Sequence, residues 1–165
     1  MNIKIHDSTY IFILIAFLSG YFEYIYILLL MITVHEIGHL LFGYILGIKS
    51  SQIIIYPFGG ITKFNNDLNI SITKELFLLL GGISFQILFY FLILFMHNNS
   101  LITTHVFELI NRIHILLISV NFLPILPLDG GKLINLILDY IFPYKISHII
   151  SIYISIIFII IFTHY

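Results

Sequence analysis

The chain alternates long apolar runs with short polar ones. Apolar stretches occupy residues 8–22, 24–46, 75–96, 105–123 and 146–162, and a shorter one covers 130–142. At about 1.5 Å per helical residue the first reaches about 22 Å, less than the roughly 30 Å bilayer core, whereas the second is long enough to span it. Gly20 punctuates the first turn, and Gly47 is a natural C-cap for the second run. Between 48 and 73 the pattern changes. Residues 51–56 (Ser-Gln-Ile-Ile-Ile-Tyr) are β-branched and strand-like, Pro57-Phe58-Gly59-Gly60 turns the chain, and 61–64 reads as a second extended piece. The fold predicted is an all-α integral membrane bundle of about five to six transmembrane helical elements. A short β-hairpin or re-entrant loop lies near 52–65, and residues 1–165 form a single domain. Residues 1–7 read as a polar lead, and the first apolar run reads as a span rather than a cleaved leader, because no small-residue cleavage site follows it.

Composition agrees with that pattern. The chain is 60% hydrophobic and 9% charged, too little charge to cover a soluble surface. A formal net charge of −1 without a basic cluster gives nucleic-acid binding nothing to rest on. With no cysteine, any metal must be held by imidazole and carboxylate. Lys49, Lys63 and Lys74 all lie on the connection between the second and third runs. The positive-inside rule therefore makes that connection, and the N-terminus with Lys4, cytoplasmic.

Three blocks carry chemistry. His35-Glu36-Ile37-Gly38-His39 lies within the second run, and its imidazoles, four residues apart, leave one helix face about 40° apart. Ionisable groups at membrane depth are costly and so functional by default. Glu36 is placed as general base and then general acid. A catalytic zinc wants a third protein ligand, and Asp129 is the acidic residue that follows a helix break. Pro124 and Pro127 stop the helix there, and Gly130-Gly131 allow the backbone to turn inward. Asn121, an amide in an apolar setting, is a candidate to bind a substrate carbonyl. The strand-like region 53–64 is a candidate to pair with an extended substrate by edge addition. The remaining histidines, His6, His97, His105, His114, His148 and His164, read as interfacial. Glu108 and Arg112 read as an i,i+4 ion pair.

Together, His35-Glu36-Ile37-Gly38-His39, Tyr56-Pro57-Phe58-Gly59-Gly60 and the run from Asn121 through Pro124, Pro127 and Leu128 to Asp129-Gly130-Gly131 resemble the signature blocks of the site-2 protease family of intramembrane zinc metalloproteases. The detail is most similar to that family's sporulation branch, although the CBS domain of that branch is not expected here. The resemblance implies one Zn2+ per chain held by His35, His39 and Asp129, with Glu36 as the catalytic carboxylate. It implies substrate contacts from Asn121, Pro124, Pro127, Phe58, Gly59 and Gly60. It also implies a multi-pass cell-membrane location and a membrane-associated protein substrate in regulated intramembrane proteolysis, with a sporulation sigma-factor precursor as one candidate. Inhibitory membrane proteins are further expected partners. The family's third-span block has Pro and then Asn where this chain has Ile83 and Gln86, so no role is transferred to Gln86. The alternatives are an inactive pseudoprotease that sequesters membrane partners and a metal transporter using the same buried site.

Overall fold

A computed structural model describes residues 2–48, 50–57, 59–64 and 70–164. Its elements run β1 (Asn2–Ile5), α1 (Asp7–Leu18), α2 (Phe22–Ile45), β2 (Ser50–Tyr56), β3 (Gly59–Phe64), α3 (Ile72–Asn98), α4 (Thr104–Asn121), α5 (Asp129–Ile141) and α6 (Tyr144–His164). Helices α2, α3 and α6, of 24, 27 and 21 residues, are long and apolar enough to cross a bilayer. The chain is a multi-pass membrane protein. At 12 and 13 residues, α1 and α5 fall short of a full crossing. Helix α4, 18 residues long, carries Glu108, Asn111, Arg112 and His114 along its length.

Helix α2 is the hub, touching α1, β2, β3, α3 and α4. Its tightest crossing is with α3, and glycines make it possible. A Cβ on Gly81 would lie 2.8 Å from the Cβ of Phe42 and 2.9 Å from the Gly38 carbonyl oxygen. One on Gly38 would lie 2.7 Å from the Cβ of Phe85 and 2.9 Å from Gly82 Cα. Lipid tails are as apolar as Leu, so close backbone approach between small residues, rather than a hydrophobic driving force, holds membrane helices together. Along α2, on the N-terminal side of the motif, the side chains of Ile25, Leu28, Met31 and Ile32 form a core with Ile93 of α3 and Ile110, Ile113 and Leu117 of α4.

The sheet has the order β1-β2-β3, with β2–β3 antiparallel and β1–β2 parallel. The hairpin expected near 52–65 is present, with Ile54 opposite Ile61 and Tyr56 opposite Gly59. The third strand corrects the reading of residues 1–7 as a polar lead: Ile3 aligns with Ile53 and Ile5 with Ile55. Four residues without a turn signal do not reveal pairing with a partner so distant in sequence. The N-terminus of α1 is anchored to the same strand, because the His6 amide and the Thr9 hydroxyl both donate to the Ile55 carbonyl at 3.0 Å.

Beyond α4 the chain turns through residues 122–128 into α5. Helix α6 backs this turn: Ser155 Oγ accepts from the Leu126 amide at 2.9 Å. The hydroxyl of Ser147 donates to Asp139, which also accepts from Asn135 at 2.9 Å. Among the described residues the ion pair expected between Glu108 and Arg112 does not form. At that end of the bundle His105 lies 3.6 Å from Glu23, linking α4 to α2.

The glycine crossing makes a stability prediction. Gly38→Leu should lower the thermal unfolding midpoint of the detergent-solubilised chain, because overpacking costs about 1–3 kcal/mol or more. Gly59→Ala, where an added Cβ meets nothing within 4 Å, should leave stability within about 0.5 kcal/mol of wild type.

Candidate active site

His35 and His39 project from α2 toward the start of α5, where Asp129 is the first helical residue. A carboxylate in a helix's first turn is stabilised by the helix dipole. Its Oδ2 lies 3.0 Å from Nε2 of both histidines, and the two Nε2 atoms are 3.1 Å apart. All three residues are 5–6% exposed, so bulk water does not screen them.

The far side of each ring fixes its tautomer. His39 Nδ1 lies 2.9 Å from the Leu78 carbonyl, which can only accept, so Nδ1 carries the proton. His35 Nδ1 lies 3.1 Å from Gln86 Oε1. The amide of Gln86 is oriented by its other end, where Nε2 donates to the His114 carbonyl at 3.4 Å. His35 Nδ1 is therefore also a donor. Two Nε2–H groups cannot share a 3.1 Å gap, and neutral rings with protonated Nδ1 leave two nitrogen lone pairs and a carboxylate oxygen facing one another.

That donor set fits a divalent cation. Zinc ligands at about 2.0–2.1 Å in tetrahedral geometry are about 3.3 Å apart, close to the separations found here. Two buried carboxylates, Asp129 and Glu36, with Lys132 as the neighbouring cation, also call for added positive charge. The ligand atoms of His35, Glu36 and His39 lie within 4.8 Å of one another, which makes Glu36 a second possible carboxylate ligand. Asp129 has the stronger claim, since its Oδ2 touches both rings at 3.0 Å while Glu36 Oε2 accepts from the Thr62 hydroxyl at 2.7 Å. Lys132 Nζ binds Asp129 Oδ1 at 3.2 Å, which leaves Oδ2 turned to the imidazoles.

Two cavities meet at this centre. One of about 540 Å³ is mainly apolar and includes Ile32, Leu117, Val120 and Leu128 in its walls. A smaller one of about 230 Å³ lies toward Thr62, Glu75 and Leu78. Glu36, Gly60 and Lys132 border both. Of the residues predicted to meet substrate, Asn121, Pro127, Gly59 and Gly60 line the larger cavity. Pro124 lies in the turn, outside the lining of either, and Phe58 is outside the described residues. Gly60 is held to a hydrogen side chain by Glu36, whose Oε1 would be 2.6 Å from an added Cβ. Gly82 is under the same constraint, with His39 Nε2 at 2.5 Å.

Three contributors escaped the sequence reading. Gln86 is fully buried on α3 at 0% exposure, a polar amide among apolar neighbours that only a partner explains. His114, expected at an interface, is instead buried in mid-helix, stacked on Tyr90 at 4.2 Å. Tyr90 in turn donates to Asn111 at 2.7 Å, so α3 and α4 carry a polar chain behind His35. Thr62 is the third, a β3 hydroxyl directed at Glu36.

Residues 23–101 match peptidase family M50. Stage IV sporulation protein FB of Bacillus subtilis (strain 168) is 28% identical over 148 residues, a match covering 90% of this chain and 51% of that protein. The chain thus spans about half the length of this curated relative. The site-2 protease from Methanocaldococcus jannaschii superposes with a TM-score of 0.71 at 18% identity, over 90% of this chain and 72% of that one, and so has the same fold. The His35–Glu36–His39 motif thus lies inside a segment similar to peptidase family M50, within a fold shared with a site-2 protease.

Proposed function

We propose that this chain is an intramembrane zinc endopeptidase that hydrolyses a peptide bond of a membrane-associated protein, with one Zn2+ held by His35, His39 and Asp129. The observation that carries the reading is the approach of two imidazole Nε2 atoms and one carboxylate oxygen to within 3.1 Å, beside a second carboxylate that borders a large cavity. When bound, zinc supplies Lewis acidity, polarising the scissile carbonyl and lowering the pKa of water. Glu36 takes a proton from the attacking water and delivers it to the departing amine. Asp129 and the two rings hold the metal, while Gln86 and the Leu78 carbonyl keep each ring's Nδ1 protonated and its Nε2 free.

The substrate is a locally extended segment, since a helix has no free backbone groups to offer the site. Strand β3 is one of the sheet's two edge strands, and edge addition there would bring the segment past Gly59 and Gly60 into the larger cavity. Asn121 supplies an amide for its backbone, and the apolar walls take its side chains. Lys49, Lys63 and Lys74 favour a centre on the cytoplasmic side, and regulated proteolysis during sporulation is the role suggested by the Bacillus relative's name.

The test is purified protein with metal content and turnover measured on the same sample. Glu36→Gln should keep one zinc per chain and lose about 10²–10⁴-fold in turnover, whereas His35→Ala and Asp129→Ala should lose the metal itself. Cleavage at the wild-type rate by Glu36→Gln would end the proposal. Chelator competition gives a separate check: Gln86→Leu should weaken zinc binding by about 10–100-fold, because His35 loses the acceptor that fixes its tautomer.

A further inference from the structure

Glu36 extends from α2, but its carboxylate is gripped by a different element. Two residues of β3 touch it from the same face of the strand, as their i,i+2 spacing requires. The Gly60 backbone lies against the carboxyl group, beside Oε1, and the Thr62 hydroxyl donates to Oε2 at 2.7 Å. The strand is itself fixed by its antiparallel pairing with β2, in which Thr62 is opposite Ile53 and Gly60 opposite Ile55. A glutamate has three rotatable side-chain bonds, and its terminal torsion is soft. A threonine is stiff at χ1. The hydroxyl therefore fixes an orientation that the glutamate cannot fix alone.

We infer that Thr62 is a positioning residue: by occupying Oε2 of Glu36 it leaves Oε1 as the oxygen presented to the reacting water. The hydroxyl at Oε2 and the close approach of Gly60 to the carboxyl group together restrict rotation of the carboxylate. Thr62 borders the smaller cavity and not the larger one, so it acts on Glu36 without lining the volume assigned to substrate. Since β3 is also the strand proposed to pair with substrate, docking and the orientation of Glu36 share one element. The inference rests on the peptidase reading for its catalytic consequence, but the hydroxyl–carboxylate contact can be tested without it.

The experiment compares wild type, Thr62→Val and Thr62→Ser, all full-length, zinc-loaded and in detergent, with fluorescently labelled casein as an unstructured substrate. Thr62→Val keeps the shape and loses the donor, and kcat should fall about 10-fold with KM within about twofold of wild type. Thr62→Ser restores the donor and should recover kcat to within about threefold. These magnitudes lie at or below the usual worth of a positioned general base. Wild-type kcat in Thr62→Val, loss in Thr62→Ser equal to that in Thr62→Val, or a change confined to KM would each overturn the inference. Infrared difference spectra give a readout independent of turnover. The carboxylate band that disappears in Glu36→Gln should shift in Thr62→Val and stay in place in Thr62→Ser, and an unmoved band in Thr62→Val overturns the contact whatever the activity. A wild type no more active than Glu36→Gln would instead remove the peptidase reading, with the infrared band still deciding whether Thr62 holds Glu36.

Discussion

Two imidazole nitrogens and one carboxylate oxygen lie within 3.1 Å of one another in the middle of an apolar bundle. With both rings neutral this arrangement is repulsive, since two imidazole lone pairs and a carboxylate oxygen face inward with little water to screen them. Their tautomers cannot relieve it, because the Leu78 carbonyl and Gln86 Oε1 hold both Nδ1 protons on the far sides of the rings. A divalent cation would turn that repulsion into coordination, and much of the surrounding architecture keeps these atoms in place.

The glycines of the α2–α3 crossing belong to that architecture. Gly38, Gly81 and Gly82 let the helix backbones approach so closely that α3 reaches both rings, with Leu78 on one and Gln86 on the other. A larger residue at Gly82 would occupy the space of the His39 ring itself. The same closeness makes a fully buried glutamine tolerable, because His35 and His114 satisfy both ends of its amide. Packing and chemistry are here a single constraint. The helices meet at their smallest residues, and the polar groups are seated where they meet.

What could be read from the sequence follows the range of each interaction. His35, Glu36 and His39 are local, set by the pitch of one helix, so spacing alone brings them to one face. Asp129 was readable because a break at Pro124 and Pro127 inside an apolar run is costly unless it lines a site. The β2–β3 hairpin announces itself by its β-branched run and by Pro57 and the Gly59-Gly60 pair, although both glycines fall in β3 rather than in the turn. Gln86 gave no such sign, because its role depends on which face of α3 turns toward α2, a fact held in the glycine contacts and not in the residues around it. Residues 2–5 were equally opaque, since their strand exists only through parallel pairing with β2. Pro124 shows the limit of motif reasoning from the other direction: it helps shape the turn yet lines neither cavity.

Hydrolysis inside a bilayer, the reaction proposed for this chain, would set two demands that conflict, an apolar place for the substrate and a polar place for the water and protons. The two cavities divide these demands by volume and lining, about 540 Å³ walled mainly by aliphatic side chains and about 230 Å³ reaching Thr62 and Glu75. Glu36 stands on the boundary with Gly60 beneath it and borders both. In the proposed reaction a proton carrier at that boundary would not need to move between compartments to serve each; a rotation of its carboxylate would be enough. Such freedom is useful only if the resting orientation is defined, and a hydroxyl from a paired strand defines it at the cost of a single hydrogen bond. In that reaction the helix would supply the acid, and the sheet its aim.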